Sequence, residues 1–262
     1  MTKKRFILVI GIFLLSVQNM YAQWSYGMGT GTTWYLGDVS LFEPLNGRGS
    51  IGTELWYEVN NLITLKTGGN IYQIAGNDRL RARNRSFRAT NIEVYSALML
   101  TLKKPQDRRR GVTQRWYPFS YIGVGITSND PEGRTTGNGF TSLPSIKPEG
   151  QEIPLIAPFL IGGGGIAINI SRDFKIVGET GLRVTTTDYL DGVSLSSFTP
   201  SSTASGYYTA IGGNVIGGNP TNKDMYLMTS FKLFYTPYDF DFRKKYASRN
   251  SRYKRGRVKR RR

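Results

Sequence analysis

The chain has 262 residues, with 35 Lys and Arg against 18 Asp and Glu, no His and no Cys, for a formal net charge of +17. Without Cys there is no disulfide and no thiolate chemistry; without His the usual general base and the commonest metal ligand are gone. The charge sits at the ends: residues 3–5 carry three positive charges and residues 243–262 carry twelve with no acid, so the body between them is nearly neutral.

Residues 1–22 read as a secretory signal. Lys3, Lys4 and Arg5 precede an apolar run from Phe6 to Val17, and Ala22 offers a small residue before Gln23. The run falls short of the ~20 residues that span a bilayer comfortably. An uncleaved anchor is the alternative. No Cys follows, which argues against a lipoprotein.

From Gln23 the chain alternates strand-like segments with two unequal kinds of connection. Residues 24–36 form a first strand with aromatics at both ends, and a loop through Pro44, Asn46 and Gly47 follows. In 50–59, Ile51, Thr53, Leu55, Tyr57 and Val59 share one face, and Glu54, Trp56 and Glu58 the other. Asn60-Asn61 is a tight turn into a strand at 62–74, whose polar face holds Lys66. An Arg-rich loop (Arg79, Arg81, Arg83, Arg85, Arg88) leads to 90–102, where Ile92, Val94, Leu98, Leu100 and Leu102 oppose Glu93.

A basic turn at 103–115 precedes a strand at 116–127, and a long loop with Pro131, Pro144 and Pro148 runs to Glu152. The sixth strand lies around 153–170, with Gly162–Gly165 expected to mark a bend or bulge. A turn at 171–173 opens the clearest stretch of all, 174–186. There Phe174, Ile176, Leu182 and Val184 alternate with Lys175, Val177, Glu179 and Arg183. A Ser/Thr/Gly-rich loop then reaches the eighth strand at 224–236, where Met225, Leu227, Phe231, Leu233 and Tyr235 oppose Lys232.

Short and long connections alternate, as in an outer-membrane barrel with short periplasmic turns and longer outside loops. Trp24, Trp34, Tyr35, Tyr57, Trp116, Tyr117, Tyr189, Tyr226 and Tyr235 sit near strand ends, where an interfacial girdle would lie. A soluble barrel or sandwich would alternate similarly; the signal and the loop asymmetry favour the membrane. The expected fold is all-β, an eight-stranded antiparallel transmembrane β-barrel. It divides into a signal peptide at 1–22, a barrel at 23–238 and a disordered basic periplasmic tail at 239–262, with both termini in the periplasm of an outer-membrane protein.

The inward set would be Glu54, Glu58, Lys66, Glu93, Lys175, Glu179, Arg183 and Lys232, four acids and four bases. Eight-stranded interiors are just wide enough for side chains, so an ion-pair plug is favoured over a catalytic site or ion path. Hydrolytic barrels usually need a Ser–His or Asp–His couple, and no enzyme, cofactor or metal is expected. Asp38, Asp188 and Asp191 at outer strand ends could meet around Ca²⁺, but lack regular ligand spacing and suit turn capping. The arginines at 79–88 suit either glycolipid phosphates or a solvated loop.

The tail residues Arg243, Lys244, Lys245, Arg255 and Arg260, with Arg108, Arg109 and Arg110 of the basic turn, could form one basic face. It would meet an acidic protein or lipid phosphates, or be merely solvated. A periplasmic address makes nucleic acid an unexpected partner.

Several segments then fall into one order: YLGDV at 35–39, SIGTELWYEV at 50–59, IGVGITSNDPEG at 122–133, PEGQ at 148–151 and ETGLRVTTTDYLDGVS at 179–194. With these the chain resembles the PorG-like outer-membrane barrel family of the type IX secretion system over most of its mature length. The most specific part is TDYLDGVS, where the family more often has two successive acids in place of Asp191-Gly192. The resemblance places a family motif at the outer rim on Asp38, Thr187, Asp188, Tyr189 and Asp191. It implies a barrel that anchors or orients a periplasmic ring, with the ring lipoprotein and its partner protein as partners besides outer-membrane lipid. The alternative is a general surface barrel binding envelope glycolipid or an extracellular ligand through its long loops.

Overall fold

The computed structural model describes residues 23–37, 46–77, 86–102, 115–134, 139–147, 149–171, 173–192, 194, 197–198, 215–216 and 223–237. The expected leader and tail lie outside these.

Eight long strands form the wall: β1 (Gln23–Leu36), β2 (Arg48–Glu58), β3 (Ile63–Asn77), β4 (Ser86–Thr101), β5 (Trp116–Ser128), β8 (Ile156–Asn169), β9 (Phe174–Thr185) and β12 (Met225–Tyr235). Between β5 and β8 lie β6 (Pro131–Arg134), β7 (Phe140–Ser142) and a one-turn helix α1 (Leu143–Ile146); a small ribbon of β10 (Ser197–Phe198) and β11 (Val215–Ile216) precedes β12. Each wall strand pairs antiparallel with the next, and β12 returns to β1 through Thr30↔Phe231 and Tyr26↔Tyr235. The result is a closed, eight-stranded antiparallel barrel with no free edge in its wall.

The period-2 pattern explains the wall. From β3 through β4 burial alternates almost without a break, and the outward residues are Ile63, Leu65, Ile71, Ile92, Val94, Leu98 and Leu100. Two of the three turns at one end, β2–β3 and β8–β9, are short and locally closed. Asn60 Oδ1 accepts from the backbone N–H of Leu62 and Ile63 at 2.8 Å each, and Ser171 Oγ accepts from Phe174 N at 3.1 Å.

The glycine run is not a bulge. Gly162–Gly165 pairs residue for residue with Phe119–Ile122 on one side and Glu179–Leu182 on the other. These glycines are a packing solution, because a Cβ on Gly163 would lie 2.3 Å from Thr180 O and 2.7 Å from Tyr121 Oη, and one on Gly165 2.3 Å from Gly178 O and 2.7 Å from Phe119 Cζ. The long loop is also more structured than expected. β6 pairs with β4 above the wall through Arg88↔Glu132, and β7 pairs with β6.

The girdle needs a second correction. Tyr35, Tyr117 and Tyr226 point inward and are buried, since each occupies an inward parity position of its strand. Trp24, Tyr26, Trp116, Phe174 and Tyr235 do face outward, all toward the end with the short turns, with Trp24 over Tyr57 at 4.6 Å and Phe174 by Tyr235 at 5.3 Å.

Candidate functional site

The barrel interior is built in layers. At its centre Lys66 of β3 and Lys232 of β12 each contact both Glu54 of β2 and Glu179 of β9. Lys66 Nζ lies 3.0 Å from Glu54 Oε1 and 2.5 Å from Glu179 Oε2, and Lys232 Nζ lies 2.7 Å from Glu179 Oε1 and also contacts Glu54 Oε2. Two cations alternating with two anions cancel locally, and buried charges persist only when paired in this way. Tyr95 Oη and Trp56 Nε1 donate further bonds to Glu54, and Lys66 Nζ sits 3.9 Å from the Tyr121 ring centroid.

Toward the long loops, Glu93 accepts from Arg183 Nη2 at 3.0 Å, Asn70 Nδ2 at 2.6 Å and Tyr226 Oη at 2.5 Å, while Arg183 Nη1 donates to Gly181 O at 2.8 Å. Toward the short turns, Lys175 Nζ lies 3.5 Å from Glu58 Oε1 and 4.6 Å from the Trp56 ring. All eight charged residues expected to face inward do so; Glu58, at the mouth, is only half-buried. Aromatic rings close the gaps: Trp56 by Phe234 at 4.3 Å, and Tyr72 stacked on Tyr226 at 4.8 Å. The chain lacks His and Cys, and each central carboxylate is held by cations.

At the end of the lumen away from the short turns, residues 187–192 and Asp224 form a mostly buried cluster at the mouth. Leu190 is buried, and its N–H donates to Asp224 Oδ2 at 2.9 Å. Tyr35 Oη lies 2.9 Å from Asp191 Oδ2 and 2.5 Å from Asp224 Oδ1. One phenol proton cannot serve two carboxylates, so a protonated Asp224 can donate the second bond. Its environment favours this: burial, then the nearby charge of Asp191, push the Asp224 carboxyl well above its ordinary range. Asn129 Nδ2 ties the mouth together by donating to Pro154 O at 3.0 Å and Tyr189 O at 3.1 Å.

Of the expected rim motif, Thr187, Asp188, Tyr189 and Asp191 lie at this mouth, with Thr187, Asp188 and Asp191 buried. Asp38 lies outside the described residues, as do Arg108, Arg109, Arg110, Arg243, Lys244, Lys245, Arg255 and Arg260. Among the described residues no group of acids could hold a metal ion. Asp224, Tyr35 and Asn70 were missed by sequence reasoning. A signal existed for Asp224, which continues the even-numbered inward face of Tyr226 and Lys232 by one step.

A second feature is a polar crevice of about 500 Å³ at the far ends of β3 and β4, bordered by the β6–β7 hairpin. Arg88 crosses it, with Nε donating to Glu132 Oε2 at 2.7 Å and Cζ 4.1 Å above the Phe140 ring. Asp130 Oδ1 accepts from Ser142 Oγ at 2.9 Å beside it.

No family model matches the chain and no curated protein matches it. Among solved structures it is similar to neisserial surface protein A, at 5% identity and a TM-score of 0.45, covering 82% of this chain and 99% of that one. It is also similar to Ail, the attachment invasion locus protein of Yersinia pestis (11%, 0.39, 82% and 99%). A third is the N-terminal barrel domain of Pseudomonas aeruginosa OprF (8%, 0.40, 82% and 99%).

These findings overturn the PorG-like assignment and, with it, the role of anchoring a type IX secretion ring: neither a family model nor a curated relative supports it, and these solved barrels are named for other proteins. The quoted segments have ordinary structural duties. Glu179 and Arg183 fill the lumen, Asp191 accepts from Tyr35, and Gly192 has φ +81° against Leu143, where a second acid would be strained. The likeness to solved structures covers the closed eight-stranded barrel that the chain's own strand register already defines.

Proposed function

We propose that this protein is a non-enzymatic outer-membrane surface barrel that engages a glycolipid or extracellular ligand at its outer rim. The observation that carries the reading is an inverted polarity: Glu54, Lys66, Glu93, Glu179, Arg183 and Lys232 are buried, while Ile92, Leu98, Leu100, Ile122, Leu160 and Phe231 stand exposed. A soluble monomer rarely exposes contiguous apolar patches above a few hundred Å². In a bilayer the same surface meets lipid, and closure pairs each wall strand on both sides.

The ends differ in a way that supports an orientation. Trp24, Tyr26, Trp116, Phe174 and Tyr235 face outward at the short-turn end, and the β6–β7 hairpin with residues 187–192 crowns the other. The crowned end then faces outside, and both termini lie in the periplasm. Residues 1–22 would be removed on export, and residues 239–262 would form a basic periplasmic tail. With the lumen filled, the outer rim is the surface left for a ligand, and outer-membrane lipid surrounds the belt.

Full-length protein expressed with its leader should fractionate with outer membranes, lose the leader after Ala22, and be cut by external protease within 195–222 but not within its tail. Recovery in the soluble periplasm, or a tail accessible on intact cells, would refute the reading.

A further inference from the structure

Resting on that reading, we infer that the crevice above β3 and β4 is a binding site for the sugar head of an outer-leaflet lipid. Its position is the first argument. Outward residues on these strands pair as Ile71↔Ile92, then Gln73↔Thr90, then Ala75↔Arg88. Ile71 and Ile92 are the last large apolar outward residues of the pair, and Gln73, Thr90 and Arg88 line the crevice directly above them. The crevice therefore opens where the belt ends, at the depth of lipid headgroups.

Its chemistry is the second argument. At about 500 Å³ it has room for a few sugar rings. Its walls alternate donors and acceptors: Arg48 and Arg88, Asp130 and Glu132, and the amides of Gln73 and Asn77. Hydroxyl groups both donate and accept, so a sugar matches such mixed walls better than an acyl chain or a bare cation does. Phe140 supplies an apolar ring, still 38% exposed although the Arg88 guanidinium covers part of it. The Arg88–Glu132 pair is solvent-exposed, so it adds little to stability by itself while holding both groups in place.

The same chemistry could come from a free surface glycan, and the two sources are separable. Full-length barrel in phosphatidylethanolamine/phosphatidylglycerol nanodiscs would be compared with and without rough lipopolysaccharide, and in a third arm with the soluble core oligosaccharide alone. Binding is read by native mass spectrometry and by the protection of Arg88 from arginine-selective labelling. The variants are Arg48→Gln with Arg88→Gln, and Thr90→Trp, which fills the crevice without changing charge; gel migration of the unheated protein checks folding.

Wild type should retain the glycolipid and protect Arg88, and both variants should weaken retention by roughly tenfold, the scale of one or two lost charge-assisted hydrogen bonds. Retention of the soluble oligosaccharide alone, equally sensitive to the variants, would keep the sugar site but overturn its lipid source. Glycolipid bound equally by wild type and both variants would overturn the crevice while leaving a surface barrel. No retention in any arm would overturn the crevice as well; outer-membrane fractionation and loop cleavage then report separately on the surface barrel itself.

Discussion

Lys66 and Glu179 are 113 residues apart in the chain, yet Lys66 Nζ donates to Glu179 Oε2 at 2.5 Å in the centre of the barrel. Lys232, on the strand beside Glu179, bridges the same carboxylate and Glu54, so the lumen is closed by a cycle rather than by independent pairs. Removing one member leaves a buried charge short of a partner. Lys66→Met should lower unfolding stability in detergent or bilayers by about 3–5 kcal/mol. In a double-mutant cycle with Glu179→Gln, the coupling should exceed about 1 kcal/mol. Strict additivity by urea titration would mean the cycle does not hold together as a unit.

The glycines of β8 offer a sharper geometric contrast. A side chain at Gly165 enters the space held by Phe119, whereas a Cβ at Gly162 meets nothing within 4 Å. Gly165→Val should cost about 1–3 kcal/mol or prevent folding, the usual penalty of overpacking. Gly162→Ala should stay within about 0.5 kcal/mol of wild type. Refolding yield into micelles and the urea midpoint measure both, and equal effects at the two sites would contradict the packing role.

Asp224 predicts a pH dependence. Its folded carboxyl titrates above the ordinary range because burial and Asp191 disfavour its charge. The folded state thus binds its proton more tightly than the unfolded chain does. That contribution to stability is fully present below the unfolded carboxylate value and is lost as pH rises through the folded one. Urea midpoints should fall over that interval, and Asp224→Asn should flatten the slope. An unchanged slope in the variant would move the titration to another group.

The belt can be tested by depth. Trp24 and Trp116 face outward at the short-turn end, and Trp56 is buried in the lumen. In single-Trp variants, lipids brominated near the headgroup should quench Trp24 and Trp116 strongly and Trp56 weakly. Strong quenching of Trp56, or none at the other two, would contradict the assignment of faces.

The lumen also predicts electrical silence. With Trp56 against Phe234 and the Lys66–Glu179–Lys232–Glu54 cycle above them, purified barrel in planar bilayers should show no stable conductance steps. Trp56→Ala with Phe234→Ala should introduce brief openings. A steady conductance in wild type would show a water-filled path that these contacts exclude.

By itself the sequence determined the strands and their faces, because a strand has a side-chain period of two and a single slip would invert every residue. Glu54, Glu93, Glu179, Arg183 and Lys232 could be placed inside on that ground alone. Three things needed the tertiary structure. Partnership across the lumen depends on register and on closure between β1 and β12, so no local pattern pairs Lys66 with Glu179. The packing use of Gly163 and Gly165 depends on which β9 carbonyls and which rings lie beside them, and composition alone reads such a run as a bend. Tyr35 reaches the acid pair at the mouth only because closing the barrel brings the top of β1 beside the start of β12, setting it against Asp224 across 189 residues of chain. Alternation is a local property of the backbone, whereas the chemistry of the lumen and rim arises from contacts between strands distant in sequence.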